Sequence, residues 1–383
     1  MTSILKGWGS FISSQKAIDD SQLDEIQRLR ARIDEIDEEI TLLMKKRYEN
    51  ARLLGRIKRS RGISLRDLQR EKIILRKIER LSEQLGLDSQ MLEQVFRQIF
   101  RLSVRAQGDS QRDENSKLNG LKLLVVGGTG RMGRFIAGFA SLQGAHVRIA
   151  GRSLNKTRKI AREIEAEPGT ILDAADSDIV VIAVPIKETE RVAVETASLM
   201  KEGSLLADVS SVKTGVSDMI ASRTSAGIEY VSTHPLFGPD IDSLYDENIA
   251  IIPYRPGPRW EKLSQAFRVS GAKIYNMTAE WHDKRMAYTQ GLHHFALMTL
   301  GIGLSDKGGE PRTRSLRDTE TRIFKMIENW ETVQAIQLMN PFASKARRSF
   351  VEISERFAAM RISDASLARR RLSSDVQKWS HKQ

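Results

Sequence analysis

The chain has no cysteine among its 383 residues. That excludes disulfides, thiolate metal sites and cysteine nucleophiles, and it is compatible with a reducing compartment. No metal site is expected. No apolar run reaches the roughly 18–20 residues that a membrane-spanning helix needs, so no membrane partner is expected. The first twenty residues carry only apolar pairs, Ile4-Leu5 and Phe11-Ile12, too short for the core of a secretion signal. A cytoplasmic location follows as the expectation. Aromatic residues make up 6% of the chain and are sparse in its basic tail. Between Lys345 and Gln383, ten Lys and Arg stand against four Asp and Glu, and only Phe350, Phe357 and Trp379 interleave them. Nucleic-acid surfaces combine basic charge with stacking aromatics, so no nucleic-acid partner is expected despite the net charge of +12.

What the chain does have is organised around Leu121 to Gly133. A short apolar strand, Leu121 to Val126, runs into Gly-x-Gly-x-x-Gly at Gly128, Gly130 and Gly133, and a helical segment, Arg134 to Leu142, follows. This order predicts a dinucleotide-binding turn. Gly128 is expected to make the tight turn, Gly130 to admit the pyrophosphate, and Gly133 to let helix pack on strand. The helix N-terminus offers free N–H groups to phosphate. A second strand, His146 to Ala150, leads to the position that reads the ribose. NAD enzymes usually carry an acidic residue there. This chain has Gly151-Arg152-Ser153, with Asn155, Lys156 and Arg158 following. Arg152 and Ser153 are suited to a 2′-phosphate, which predicts NADP in preference to NAD. Apolar runs at 178–185 and 204–209, and a short strand at 229–232, predict further strands ending at the carboxyl edge of a parallel sheet. Thr233 to Pro239 reads as a rigid Pro/Gly loop. From Thr278 onward the pattern is helical.

The N-terminal part is different. Residues 1–21 read as a lead-in. Ile26, Leu29, Ile33, Ile36, Ile40 and Leu43 are spaced 3, 4, 3, 4, 3, a near-heptad seam on a helix of more than 30 residues. Such a helix cannot bury its face alone, which implies a partner helix from a second subunit. Helices are expected at 65–85 and 90–107, separated by Gly86-Leu87-Asp88-Ser89. A polar stretch, 108–119, is expected to be a linker. The chain therefore divides into an all-α segment 22–107, an α/β Rossmann-type nucleotide-binding segment 120–277, and an all-α segment 278–383.

Polar residues on the first helices fall into same-face sets: Arg47 with Lys58, Asp67 with Arg70 and Glu71, and Ser103 with Gln107. Any one pair is usually a surface ion pair or a solvated face. Together, Leu29-Arg30-x-x-Ile33, Arg47, Gly55-x-x-Lys58, Asp67-x-x-Arg70-Glu71 and Ser103-x-x-x-Gln107 resemble the all-helical chorismate mutase family. The resemblance implies a dimer whose long helices pair, with Arg30 reaching the partner's site. It also implies that Arg30, Arg47 and Arg70 meet carboxylates and that Lys58 and Gln107 donate to the ether oxygen. Glu71, near Asp67, would take the ring hydroxyl, and Ser103 would position a carboxylate. Converting chorismate to prephenate needs no nucleophile, only a held dianion and donors at the breaking ether.

The glycine turn, Val184-Pro185-Ile186, Asp208-Val209-Ser210-Ser211-Val212-Lys213, Thr233-His234-Pro235-Leu236-Phe237-Gly238-Pro239-Asp240 and His282-Asp283-x-x-Met286-Ala287-x-x-Gln290-x-Leu292-x-His294-Phe295 resemble prephenate dehydrogenase. The two resemblances together imply a bifunctional enzyme of tyrosine biosynthesis that yields 4-hydroxyphenylpyruvate with NADP or NAD. The cofactor would contact Gly128, Thr129, Gly130, Arg131, Met132, Gly133, Arg152, Ser153, Val184 and Pro185. His234 is the base expected to take the hydroxyl proton, aided by Ser211. Lys213, Gln290, His294 and Arg322 are expected at the substrate, with Arg317 in reserve for Arg322. The alternative is an arogenate dehydrogenase carrying an inactive, regulatory mutase-like segment.

Overall fold

The computed structural model describes residues 20–60, 68–108, 116–241, 244–304, 311–360, 369–370 and 372–374. They form two compact units.

The first unit is helical. Helix α1 (Asp20–Ser60) is 41 residues long and runs through Gly55, which is buried. It spans about 60 Å. Helices α2 (Leu68–Leu85) and α3 (Ser89–Gly108) pack on one another. Gly86 ends α2 with φ +67°, and Leu87 N–H donates to the Ser82 carbonyl at 2.9 Å. Only glycine takes that left-handed position cheaply, so the helix stops there. Asp88 then starts α3, its Oδ1 accepting from Gln90 N at 2.8 Å and Met91 N at 3.0 Å. Ala51, Phe100 and Ala106 are buried. The six seam residues of α1, Ile26 to Leu43, are all exposed in the single chain.

The second unit is built on an eight-stranded sheet: β1 (Lys122–Val126), β2 (His146–Ala150), β3 (Glu167–Gly169), β4 (Ile179–Ile182), β5 (Leu205–Asp208), β6 (Glu229–Pro235), β7 (Asn248–Arg255) and β8 (Lys273–Asn276), in the order β3-β2-β1-β4-β5-β6-β7-β8. All neighbours are parallel except β6 and β7. The central strands are buried on both faces, as parallel strands covered by helices must be. Helices α4 (Arg131–Leu142), α5 (Leu154–Glu163), α6 (Ile186–Ala197), α7 (Val216–Arg223) and α8 (Pro258–Val269) connect them. Strand order reverses between β1 and β4, and ligands bind at that crevice outside the carboxyl ends of such sheets. The expected polar linker ends earlier than its composition suggested. Leu118 is fully buried against the sheet core, and Ser116 Oγ donates to the Gln143 carbonyl, so the described chain is already packed from Ser116.

The C-terminal helices are α9 (Ala279–Met286), α10 (His293–Leu304), α11 (Arg314–Glu328), α12 (Trp330–Met339) and α13 (Ala343–Ala358). A π-helical segment, Ala287–Leu292, joins α9 to α10. The 278–383 segment is not a separate body. Ala335 and Met339 of α12 pack into the core formed by Ile182, Leu206 and Tyr230, which makes one unit of sheet and helices.

Candidate active sites

Register aligns the carboxyl ends of the central strands: Ala150 pairs with Val126, Val126 with Ile182, Ile182 with Asp208, and Asp208 with Ser232. The residues that follow, Gly127, Ala183, Val209 and Thr233, share one edge. The glycine turn sits there, with a difference from expectation. The left-handed residue is Gly127, at φ +90°, one position before the motif. A Cβ on Gly127 would lie 2.4 Å from the Ala183 carbonyl oxygen, just before Val184 and Pro185. Gly128 is needed for packing, since its Cβ would meet Ile149 at 2.5 Å. Gly133 lies against the Gly127 carbonyl, which its Cβ would approach to 2.3 Å. Gly130 caps α4 and is exposed, leaving the helix N-terminus open beside Thr129 and Met132. This cradle of bare backbone at a helix start fits a dinucleotide pyrophosphate. The Arg131 side chain donates to Asn329 Oδ1 at 3.0 Å and pairs with Asp240. At the end of β2, Arg152 and Ser153 are exposed, and Ser153 caps α5 by accepting from Lys156 N.

His234 lies on the same edge. It belongs to strand β6 rather than to a loop: β6 continues to Pro235, and His234 pairs with Ala250 of β7. The imidazole is buried, at 3% exposure. Its Nδ1 is 2.9 Å from His282 Nε2, and His282 Nδ1 is 2.8 Å from Asp283 Oδ1. Asp283 also accepts from Lys213 N at 3.0 and 3.2 Å and from Thr214 N at 2.7 Å. Gln290 Nε2 stands 3.5 Å from His234 Nε2. Burial, then the neighbouring His282 and Lys213, push His234 well below the ordinary histidine value. Burial lowers His282 too, against the pull of Asp283.

Lys213 was expected at the substrate, but its side chain is fully buried. Its ammonium is 3.1 Å from Asp208 Oδ1, 2.6 Å from Ser232 Oγ and 2.7 Å from the Thr233 carbonyl. Burial pushes the ammonium down from its ordinary range, against Asp208. Burial works to raise Asp208, but Lys213 and the surrounding hydroxyls outweigh it and hold the carboxyl low. Lys213 therefore braces the β5 and β6 ends beneath His234. Ser211 follows β5 half-buried, and among the described residues its hydroxyl makes no hydrogen bond to His234; the buried Ser210, which the sequence did not single out, bonds Asp208 Oδ1 at 2.7 Å instead. Gln290 lies in the π-helical segment, and Gln337 Nε2 braces that segment by donating to the Gly291 carbonyl at 2.6 Å. Such segments recur at functional sites. Gln290 Oε1 and His294 Nδ1 are buried without a partner, and burial, with His293, pushes His294 down to about 4. Arg322 and Arg317 are exposed on α11.

In the helical unit, α1 and α3 bring Arg47 and Ser103 together: Arg47 Nη1 donates to Ser103 Oγ. Ser103 in turn donates to the Ile99 carbonyl at 2.7 Å, and the Arg47 guanidinium lies 5.8 Å from the Phe100 ring centre. Partial burial lowers the Arg47 pKa, a cost that a bound anion would offset. Lys58 and Glu71 are half-buried, and Arg30 and Arg70 are exposed. Asp67 and the Gln107 side chain lie outside the described residues.

Two family models match, chorismate mutase type II over residues 29–108 and the prephenate dehydrogenase nucleotide-binding domain over residues 136–274. The T-protein of Haemophilus influenzae is 30% identical over 287 residues, covering 74% of this chain and 72% of that protein. The chain belongs to the bifunctional chorismate mutase–prephenate dehydrogenases. The T-protein of Enterobacter agglomerans is 29% identical over a similar span. A probable arogenate/prephenate dehydrogenase of Methanocaldococcus jannaschii is 30% identical over 257 residues, and the match spans 57% of its length. The fold is shared with the crystal structure of a prephenate dehydrogenase from A. aeolicus, at TM-score 0.58 and 19% identity over 69% of this chain and 99% of that one. A bifunctional chain of this family accounts for both constellations. No described helix is long and apolar enough to cross a membrane.

Proposed function

We propose that this chain works in the cytoplasm as a homodimer, rearranges chorismate to prephenate in its helical unit, and oxidatively decarboxylates prephenate with NADP at the sheet edge. One observation carries the second step: a buried, neutral imidazole, His234, sits on the strand edge that also carries the glycine cradle, with its Nε2 directed toward Gln290.

In the mutase step, Arg47 supplies donors to a carboxylate that Ser103 helps to position, and Lys58 faces the same side of α1, three turns on. Gln107 and Lys58 are the donors for the ether oxygen, whose growing charge is what such a site must stabilise. No bond to the protein forms. In the dehydrogenase step the cradle of Gly127 to Gly133, with Arg152 and Ser153, would hold a nicotinamide dinucleotide, which would supply the acceptor for the hydride of the ring carbon that bears the hydroxyl. His234 Nε2 takes the hydroxyl proton as that carbon becomes trigonal. The bond to the ring carboxylate breaks, CO2 leaves, and its electron pair completes the aromatic ring. His234 then returns the proton to the phenolate oxygen, so no net proton is released. Gln290, His294 and Arg322 are the side chains assigned to holding the substrate, Arg322 pairing with the ring carboxylate.

A coupled assay tests the reading. Chorismate with NADP should give reduced cofactor and 4-hydroxyphenylpyruvate. Arg47→Ala should abolish turnover from chorismate while turnover from supplied prephenate persists. His234→Asn should do the reverse, removing oxidation by about a hundredfold or more while prephenate still forms. Parallel loss of both activities in either folded variant would sink the two-site reading.

A further inference from the structure

Two buried ionisable groups, His282 and Asp283, take no part in the steps above. Both are fully buried, and the chain separates them from His234 by 48 positions or more. They nevertheless form a continuous line to it: Asp283 Oδ1 to His282 Nδ1 at 2.8 Å, then His282 Nε2 to His234 Nδ1 at 2.9 Å. We propose that Asp283 and His282 are positioning residues that hold His234 in its Nδ1–H form, so that the Nε2 lone pair faces the substrate hydroxyl. This rests on the reading of His234 as the base.

The direction of every bond follows from its fixed end. The Asp283 carboxylate accepts from the backbone N–H groups of Lys213 and Thr214, which are donors in every state. The same oxygens have lone pairs left to accept from His282 as well, so His282 Nδ1 carries its proton. His282 Nε2 is then a lone pair. His234 Nδ1, 2.9 Å away, must donate to it. That leaves His234 Nε2 as an acceptor, and the Gln290 amide nitrogen, 3.5 Å from it, is a donor. The four elements around the line agree in polarity: the loop after β5, helix α9, strand β6 and the π-helical segment. The α9 end is itself pinned, because Asn340 Nδ2 donates to the Asp283 backbone carbonyl at 2.9 Å. With His282 neutral, reversing its bond to His234 would require a protonated Asp283 and would place a proton on His234 Nε2, where the base must be empty.

The alternative is a buried polar cluster that only packs. Substitutions at 282 separate the two. Glutamine puts its amide oxygen near the place of Nε2, where it accepts from His234 Nδ1–H. Asparagine puts an amide nitrogen near the place of Nδ1, where it satisfies Asp283 but leaves His234 Nδ1 without its acceptor. The full-length enzyme is assayed with prephenate and NADP, alongside cofactor binding, thermal unfolding and mutase activity. We expect His282→Gln to keep kcat within about tenfold, and His282→Asn to lose about a hundredfold in kcat with little change in KM or cofactor affinity. Equal kcat in two folded variants would overturn the proposal. A second measurement stands even if a variant fails to fold. Histidine 15N spectra of the wild-type enzyme, assigned with His234→Asn, should show the lone-pair nitrogen of His234 at Nε2. In Asp283→Asn, whose amide must donate to His282, the lone pair should move to Nδ1. A wild-type lone pair at Nδ1 would overturn the proposal too. The base reading fails separately: it falls if His234→Asn retains turnover, whatever the spectra show.

Discussion

At the scale of single residues, burial is what suits His234 to the base role proposed for it. Free histidine titrates near 6.5, so a base with that value would be partly protonated near neutral pH. Here burial, His282 and the Lys213 ammonium all disfavour the imidazolium. The base must be unprotonated, so a lowered pKa moves the acid limb of the rate profile downward. We expect dehydrogenase kcat to stay level as pH falls through 6.5 and to decline only well below it. A pH–rate profile with its acid midpoint at 6.5 or above would contradict this. Lys213 has the opposite lesson. Its place in a motif was legible, but lysine is ordinarily a surface residue, and nothing in the sequence shows that β5 and β6 close over it. Lys213→Met should strand Asp208 as a buried charge and cost about 3–5 kcal/mol in chemical denaturation, with folded enzyme retaining its KM for prephenate. A raised KM at unchanged stability would restore the substrate-binding role. His282 was equally hidden: it stood in a legible motif, but its bond to His234 spans 48 positions and no periodicity connects them.

At the scale of elements, the sequence was legible wherever one period held. The strand runs at β1, β2, β4 and β5 and the three N-terminal helices all appear close to where periodicity placed them. It was illegible where a local rule was overridden. Pro235, Gly238 and Pro239 make Thr233 onward read as loop. Yet Pro235 sits at the last position of β6, where the lost N–H is affordable, and β7 supplies the pairing that carries His234. The π-helical segment likewise looks like any helix in sequence. The β2–α5 loop is the element proposed to read the cofactor's ribose. Arg152 follows β2 directly and is exposed, and Ser153 spends its oxygen lone pair on the α5 cap while its hydroxyl proton stays available. No carboxylate stands there to repel a 2′-phosphate. We expect NADP to be preferred over NAD by about tenfold or more in kcat/KM, about 1.4 kcal/mol, within the range of one charged hydrogen bond. Arg152→Asp should reverse the ratio. An unchanged ratio in that variant would show that the loop does not read the ribose.

At the scale of the whole molecule, the decisive fact is an apolar stripe that stays exposed among the described residues. Ile33, Ile36 and Ile40 are 56%, 48% and 49% exposed along the middle of α1, and Leu29 and Leu43 extend the stripe. Burying one such side chain contributes about 1.5–3 kcal/mol, so a helix about 60 Å long that leaves this many in water needs a partner. Geometry supports the same conclusion. Arg30 precedes Arg47 by 17 positions, about 25 Å along α1, too far for both to close on one small dianion within a single chain. Two antiparallel copies of α1 would bring Arg30 of each toward the Arg47 end of the other. In the second unit, Ile302, Phe324 and Trp330 are exposed around a cavity of about 720 Å³ lined by α10, α11 and α12. The native particle should therefore have at least twice the chain mass of 43.2 kDa by light scattering at micromolar concentration. The two surfaces can be separated by charge. Ile33→Lys with Ile40→Lys places cations in the α1 seam, far from the sheet edge in sequence and in a different unit. This double variant should lose mutase activity by at least about a hundredfold, because each mutase site loses the partner's arginine, while oxidation of supplied prephenate continues. A 43.2 kDa wild-type species with full mutase activity would refute the shared site, and so would a double variant that still converts chorismate at the native rate.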